Sequence, residues 1–242
     1  MKKNLLKFSA VALLAAPFGV ARAELVYNGL VDLGGTGLGA VNTILTIANT
    51  PTEHGCVSWN GTTTVEGATV SGTGACTGTG DENGLNSTQL LSVTGVTTGS
   101  NFAILFNPAE PGNDQSLTLN TLTALFYNNA GTLIYSANLQ APDQNRTFNS
   151  ADQGTGNTGF EFILSQPEAS ALQAFITSLG TGNIHVGLAS SLGSPVTSDG
   201  AHETFFVFNS GLATSVTPEP STVVLTATGL FGLVGFVRRR RS

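Results

Sequence analysis

The sequence predicts a mainly β protein: a two-sheet antiparallel β-sandwich of jelly-roll type with one amphipathic helix, followed by a C-terminal transmembrane helix. Three observations support this fold class. Short β-branched and aromatic runs alternate with Gly-, Asn- and Thr-rich turns along residues 24–217. One segment between two such runs has helical periodicity. The last long apolar run, residues 222–237, is not interrupted by a charge.

Strands are predicted first in the N-terminal half of this region. Residues 102–106 form a continuous apolar run, which is typical of a strand buried on both faces. The Thr- and Gly-rich residues 61–84 are expected to be mostly a long surface loop, with possible short strands within and beside them. The predicted runs are 25–33, 41–48, 57–59, 65–70, 89–96 and 102–106.

The clearest local pattern is a β-hairpin in residues 117–139. Apolar residues alternate on both sides of the turn at residues 128–131, as expected for a sheet with one face on the core. The alternation changes phase near Asn120 and Thr121, which indicates a bulge or two strands. Three further strands are predicted at 160–164, 184–189 and 204–208.

One helix is predicted after residue 165. Ser165 and Glu168 have the S-x-x-E spacing of a capping box, and Pro167 lies in the first turn. Gly180 is expected to end the helix. The apolar residues follow at helical intervals: Leu172, Phe175, Ile176 and Leu179.

Residues 1–23 have the pattern of a secretory signal peptide. A basic start is followed by an apolar segment, residues 10–20, and by the small residues Ala21 and Ala23 of an A-x-A cleavage site. Cleavage there would leave Glu24 as the first residue of an extracytoplasmic domain, residues 24–217. The alternative is an uncleaved anchor.

The C-terminal residues 218–242 form a tail of three parts. The first is the triplet Pro218, Glu219 and Pro220, and the last is the basic block 238–241. The apolar run 222–237 lies between them, and its roughly 16 residues span about 24 Å as a helix, slightly short of a hydrocarbon core of about 30 Å. Four arginines would hold the C-terminus in the cytoplasm. A buried core helix is the alternative, and it fits poorly because nothing downstream would cover the arginines.

This arrangement resembles the PEP-CTERM sorting signal of Gram-negative bacteria over residues 218–241. The resemblance implies that the membrane protease exosortase reads Pro218, Glu219 and Pro220 and cuts the chain near them. It further implies export across the inner membrane, a transient membrane anchor, and a final place at the cell surface or outside, in an extracellular polysaccharide layer or biofilm. It leaves the role of residues 24–217 open.

The charge of residues 24–217 excludes several partners. Arg146 is the only basic residue there, against fourteen acidic residues, so the formal charge is near −13. Nucleic acid and anionic lipid surfaces are excluded because phosphate contacts need Lys or Arg. We expect the negative charge to serve solubility, with divalent cations or basic partners as further possibilities.

Cys56 and Cys76 are the only cysteines of the chain. Export into an oxidising compartment predicts a disulfide between them, worth about 3 kcal/mol on the chain-entropy model. His54 lies two residues from Cys56, but its turn-like neighbourhood argues against a catalytic cysteine.

The sequence predicts no enzyme and no cofactor, with calcium as a possible ligand. None of the common hydrolase, zinc or phosphate-binding motifs occurs, and His54, His185 and His202 are far apart in sequence. Glu161 and Glu203 are the strand-borne carboxylates that a glycosidase could use, although the pair His202 and Glu203 is expected at a solvated strand edge. The calcium candidates lie on Gly-bearing loops, where ordinary turn chemistry is the alternative: Asp152, Asn157, Glu110 and Asp114.

Two functions remain. The first, which we favour, is a non-enzymatic surface or matrix protein with a structural or interaction role. The second is a carbohydrate-binding β-sandwich, and a secreted hydrolase is the least favoured interpretation. Aromatic side chains could supply sugar-stacking platforms, although aromatics are few: Trp59, Tyr27, Tyr127 and Tyr135.

Overall fold

The computed structural model describes residues 24–33, 38, 41–109, 115–153, 158–212 and 214–215. The predicted signal peptide and the predicted sorting tail with its transmembrane segment lie outside these residues. Within them the protein is mainly β, as predicted, with one α-helix, α1 (Gln166–Leu179). The strands are β1 (Glu24–Asp32), β2 (Asn42–Ile47), β3 (Glu53–Trp59), β4 (Thr64–Gly67), β5 (Thr69–Val70), β6 (Cys76–Thr77), β7 (Gln89–Leu90), β8 (Phe102–Asn107), β9 (Ser116–Asn128), β10 (Leu133–Leu139), β11 (Arg146–Asn149), β12 (Thr158–Leu164), β13 (Ile184–Leu192), β14 (Glu203–Asn209) and β15 (Thr214–Ser215).

Thirteen of the strands form one large curled sheet, whereas two separate sheets were predicted. Its first half has the order β2-β14-β8-β12-β1, and its second half has the order β10-β9-β13-β3-β4. The halves join where β1 and β10 run parallel, through the pairs Glu24 with Asn138 and Leu25 with Leu139. The sheet is continuous only through this short junction, which the hydrophobic pattern of the strands does not reveal.

One hydrophobic core lies between the two halves. Phe106 and Phe205 contribute from the first half, and Phe126 and Leu188 from the second, and all four are fully buried. Strands such as β12 and β14 present alternate residues to this core, as the two-residue period of a strand requires.

A second apolar cluster lies on the opposite face of the first half, and we call it the outer cluster. Phe102 to Phe106 of β8 are all fully buried, because alternate residues point to the inner core and to the outer cluster. The prediction of a strand buried on both faces is therefore confirmed. The outer cluster comprises Val31, Leu33, Ala103, Leu105, Phe206 and Phe208.

The phase change in the predicted hairpin is a β-bulge at Asn120. In the pairing of β9 with β13, Thr121 faces Ser191 and Leu119 faces Leu192, so Asn120 is the extra residue. Its side chain accepts a hydrogen bond from Ser194 N–H at 3.2 Å and donates one to Asn145 Oδ1 at 2.8 Å. The bulge thus uses a polar side chain to hold two neighbouring loops.

Most of residues 61–84 is turn and loop, as predicted, and the possible short strand at 65–70 is present as β4 and β5. β4 pairs with β3, and β5 pairs with β6, a short strand that was not predicted. The run 89–96, by contrast, is mostly not a strand: after Leu90 the chain turns, although Leu91 and Val96 are fully buried. Apolar side chains can enter a core from a turn, and a periodicity argument does not separate these cases.

Residues 81–88, which we call the closing segment, run between the two ends of the curled sheet. On the β4 side, Thr88 N–H donates to Thr64 Oγ1 at 3.1 Å. On the β2 side three backbone hydrogen bonds join Ala48 N–H to Asp81 O at 3.0 Å, Asn83 N–H to Thr46 O at 2.9 Å and Ser87 N–H to Ile44 O at 3.2 Å. Thr46 N–H also donates to Asn86 Oδ1 at 2.6 Å. The closing segment therefore covers backbone groups that edge strands leave free.

Glu82 attaches this segment to β3 and β4. Its Oε1 accepts hydrogen bonds from Cys56 N–H at 3.0 Å and from Gly67 N–H at 3.1 Å. A Cβ at residue 80 would lie 2.4 Å from this oxygen, and a Cβ at residue 55 would lie 3.0 Å from it. Glycine at both positions therefore makes room for the carboxylate.

Helix α1 has the predicted position. Ser165 is its N-cap and donates a side-chain hydrogen bond to Glu168, but it makes no side-chain bond to the helix backbone. Gly180 ends the helix with φ of 80°, a conformation that favours glycine, and its N–H donates to Ile176 O at 2.8 Å. No helix in the described part of the chain is long and apolar enough to cross a membrane.

Candidate functional site

The best candidate for a binding site is a surface groove of about 540 Å³, which we call the Trp59 groove. It lies between the end of β3, the turn before β6 and the turn that joins β9 to β10. None of its lining residues is charged, although the domain is strongly acidic. They are Ser58, Trp59, Asn60, Val65, Gly72, Thr73, Ala75, Tyr127, Gly131, Thr132 and Leu133.

The indole ring of Trp59 is held in place on one side of the groove. His185 stacks on it, with ring centroids 4.0 Å apart and planes 6° from parallel. The indole Nε1–H donates to Asn129 O at 3.2 Å. Burial lowers the pKa of His185, so the imidazole is neutral at pH 7 and brings no positive charge to the groove.

Ala75, which precedes Cys76, lines the groove, and next to it is the predicted disulfide between Cys56 and Cys76. It joins β3 to β6, and the turn before β6 carries Gly72, Thr73 and Gly74. Cys76 N–H donates to Ser58 Oγ at 3.0 Å, and the Tyr127 hydroxyl donates to Gly74 O. The turn is therefore tied both to β3 and to β9.

Of the four aromatic residues predicted as stacking platforms, Trp59 and Tyr127 line this groove. Tyr127 is 1% exposed, so it is part of the wall and offers little free surface. Tyr135 packs between Phe126 and Phe175 of the interior, at ring distances of 5.6 and 6.1 Å. Half-buried Trp59 is the platform that the structure retains.

Tyr27 lies in a different cavity, of about 290 Å³, beneath Arg146. The guanidinium carbon of Arg146 is 4.0 Å from the centre of the Tyr27 ring, a cation–π geometry. Asp143, which is buried, accepts from Tyr27 N–H at 2.9 Å and lies 3.4 Å from Arg146 Nη1. The one basic residue between Glu24 and Thr217 thus pairs with a buried carboxylate.

The three histidines are not assembled into a catalytic group. His54 Nδ1 is 3.1 Å from Asp81 Oδ2, but the neighbouring Cys56 is in the disulfide and cannot act as a nucleophile. His185 stacks on Trp59, and His202 is exposed.

Glu161 and Glu203 lie on opposite faces of the sheet and therefore do not form a carboxylate pair. Glu203 alternates in phase with Phe205 and Val207, which belong to the inner core. Glu161 alternates in phase with Ile163, which packs on the outer cluster. A glycosidase needs both carboxylates on the two sides of one sugar, at about 5 to 10 Å from each other. The expectation of a solvated edge is also wrong for Glu203, which is fully buried.

Five carboxylates in the described part of the chain are buried, and hydrogen bonds compensate part of the cost of their burial. Glu53, for example, accepts from Ser198 Oγ at 2.5 Å and from Asn49 N–H at 3.1 Å. The five are Glu53, Asp143, Glu161, Glu168 and Glu203.

The structure brings no calcium site together from the described residues. Asp152 lies in a short 3-10 turn, Ser150–Gln153, and is exposed. The other three candidates, Asn157, Glu110 and Asp114, lie outside the described residues. In the part that is described, no group of three or more His, Cys, Asp or Glu side chains is placed to hold a metal ion.

Glu161 is expected to make the protein less stable as the pH rises. Burial raises the pKa of its carboxyl above 4.5, and the hydrogen bond from Asn28 Nδ2, at 2.5 Å, opposes this only in part. The folded state therefore retains the proton more strongly than the unfolded state, and stability falls between pH 4.5 and the higher folded pKa. The free energy of unfolding, measured with urea, should fall between pH 4 and pH 7 in the wild type. It should fall less in Glu161→Gln.

The exposed Glu66 of β4 offers a control for the removal of one negative charge. Glu66→Gln should follow the wild type at both pH values. A pH dependence that is the same in wild type and Glu161→Gln would contradict the assignment.

Two residues, His185 and Glu82, have structural roles that the sequence did not predict. His185 could not be placed against Trp59, because 126 positions of the numbering separate them and only the pairing of β13 with β3 and β9 brings them together. No sequence pattern marked Glu82 as a residue with a structural role, apart from its place in a Gly-rich segment. Comparisons of the chain with protein-family models, with curated proteins and with solved structures give no match.

Proposed function

We propose that this chain is an exported, exosortase-processed surface or extracellular-matrix protein associated with extracellular polysaccharide, with a non-enzymatic structural or interaction role. The observation that carries the proposal is the order of three features at the C-terminus: Pro218 to Pro220, the apolar run 222–237 and the arginines 238–241. The signal-like residues 1–23 are consistent with it. The protein would pass the inner membrane of a Gram-negative bacterium, remain anchored for a time, and then reach the cell surface or the medium.

The properties of the described domain support this route. Its two cysteines form a disulfide, which is common in proteins that leave the reducing cytoplasm. Its single basic residue leaves little attraction for nucleic acid or anionic lipid. For the fold itself, a two-layer sandwich of jelly-roll type is the description we favour, since the two halves of the curled sheet join only through the short β1–β10 pairing.

The non-enzymatic role is supported by where the candidate groups lie. The carboxylates of Glu161 and Glu203 are on opposite faces, and His54 and His185 have separate partners, Asp81 and Trp59. Nucleophilic and acid–base catalysis both need groups within hydrogen-bond reach of one reacting centre.

Changing the triplet tests the proposed route. In the native host, Glu219→Ala is expected to leave most of the protein unprocessed in the inner membrane, because the recognised motif is lost while the anchor remains. Intact-mass analysis of membrane and released fractions measures this directly. Ser221→Ala, one residue after the motif, should be processed like the wild type. Equal processing of Glu219→Ala and wild type, or of hosts with and without exosortase, would refute the route.

A second candidate function is carbohydrate binding in the Trp59 groove. The observation that favours it is a half-exposed indole, fixed by His185 and Asn129 O, beside a cavity large enough for a sugar residue. It is compatible with the first, since a matrix protein needs a way to attach to its polysaccharide.

A further inference from the structure

We infer that the Trp59 groove binds an uncharged saccharide chain and discriminates against uronic-acid or sulfated polysaccharides. The inference rests on the second candidate function above and names its ligand class. It follows from the charge, the shape and the hydrogen-bonding groups of the groove.

The lining of the Trp59 groove carries no charge that could attract an anionic saccharide. No residue that lines the groove is acidic or basic, and His185 behind the indole is neutral at pH 7 because burial lowers its pKa. Recognition of a carboxylate or sulfate normally uses Arg or Lys. Arg146 lies instead in the Tyr27 cavity, 3.4 Å from Asp143. The strongly negative domain would also repel a polyanion.

The indole of Trp59 gives the groove an aromatic surface on which a sugar ring can stack. His185 covers one face of Trp59, so the indole can offer the groove its other face or its edge. An indole with a fixed orientation gives a large apolar contact at little cost in conformational entropy, and the C–H face of a pyranose ring is a suitable partner.

Neutral polar groups surround the indole and can bind sugar hydroxyls. Asn60 Oδ1 accepts from Thr62 N–H and Thr63 N–H, both at 2.9 Å, which directs its Nδ2 donor away from the backbone. Thr73 and Thr132 add hydroxyl groups on the two walls. Neutral amide and hydroxyl groups are the partners that sugar hydroxyls use, since each can donate or accept.

The groove is also preformed. The disulfide and the bond from the Tyr127 hydroxyl to Gly74 O hold the turn that carries Thr73. A Cβ at residue 187 would lie 3.2 Å from Tyr127 Cε2 and 2.2 Å from Val57 O, so glycine there allows the tyrosine ring to lie close to the sheet. A site held in this way pays little ordering entropy on binding.

Trp59 is the only tryptophan of the chain, so its fluorescence reports on this groove alone. The experiment uses the full chain in a zwitterionic detergent without a sugar headgroup. The probes are dextran, mannan and a soluble β-glucan as neutral polysaccharides, and alginate as a polyuronate. We expect at least one neutral probe to change the emission saturably, with a Kd that is insensitive to salt, and alginate to produce no change.

Variants place the binding in the groove. Measured by calorimetry, Trp59→Ala should raise the Kd about tenfold or more, and Thr73→Ala about threefold. Thr79→Ala is the matched control, an exposed threonine of the same Gly-rich segment that does not line the groove, and its Kd should equal that of the wild type. Thr73→Ala keeps the test valid if Trp59→Ala does not fold.

Three results would overturn the inference: no response to any neutral probe, a Kd unaffected by both groove variants, or tighter binding of alginate than of every neutral probe. The third result would retain saccharide binding and reject the uncharged class. None of them bears on the export route, whose readout is the processing of the tail.

Discussion

Replacing Cys56 and Cys76 by serine together is expected to lower the free energy of unfolding by about 3 kcal/mol. The disulfide closes a loop between positions 20 apart, and on the chain-entropy model its loss returns that loop entropy to the unfolded state. The enclosed segment has few apolar residues of its own and depends on its attachment to β3. Urea unfolding of the purified double variant, compared with the wild type, measures the loss.

Reduction of the wild type provides the control, because it breaks the same bond without a substitution. Reduced wild type and the double variant should unfold at similar urea concentrations, both well below the oxidised protein. Equal stability of the oxidised and reduced wild type would show that β5, β6 and the following turn are held by other contacts.

Glu82→Ala is expected to cost about 3 kcal/mol, because two backbone N–H groups lose a charged acceptor at about 1.5 kcal/mol each. The two donors, Cys56 N–H and Gly67 N–H, belong to neighbouring strands, so one carboxylate holds the closing segment to both. Thermal and urea unfolding of the variant measure the effect.

Two further substitutions define the cause. Glu82→Gln retains an amide oxygen of the same reach and should cost only about 1 kcal/mol. Glu66→Ala removes an exposed carboxylate from the adjacent strand β4 and should change stability by less than about 0.5 kcal/mol. If Glu66→Ala and Glu82→Ala had the same effect, charge removal alone would explain the result.

The two large effects are expected to be coupled. Cys56 supplies both a sulfur to the disulfide and an N–H to Glu82, so the residues share one attachment point. Mutations in contact are commonly non-additive by about 0.5 to 3 kcal/mol. A triple variant combines the two cysteine substitutions with Glu82→Ala. If its free energy of unfolding falls by less than the sum of the two separate decreases, the disulfide and Glu82 restrain the same segment.

Local patterns predicted several elements well. Ser165, Pro167 and Gly180 placed α1 within a residue of its observed limits, since cap and stop residues act through the backbone next to them. The phase change near Asn120 and Thr121 predicted a bulge or two strands, because the two faces of a strand have different surroundings, and the structure has the bulge in β9. The apolar run of β8 predicted burial on both faces for the same reason.

Other features could not be predicted because they depend on contacts between distant residues. The closing segment has no apolar periodicity, and what holds it is hydrogen bonding to the sheet ends and Glu82. Glu203 has the sequence environment of a solvent-exposed acid, yet it lies in phase with Phe205 on the inner face. Trp59 was a candidate from its residue type, whereas its contact with His185 depends on strand pairing.

The sequence by itself determined the mainly β class, the helix and the pair of cysteines. It also determined the scarcity of basic residues and the proposed targeting signals at both ends. Each of these is a property of composition or of neighbouring residues. The tertiary structure alone decided that the sheet is continuous through β1 and β10, that Glu161 and Glu203 face opposite ways, and that an uncharged groove surrounds Trp59. These features arise where strands far apart in the chain pair, and the pairing energy is distributed over many weak contacts that no single segment encodes.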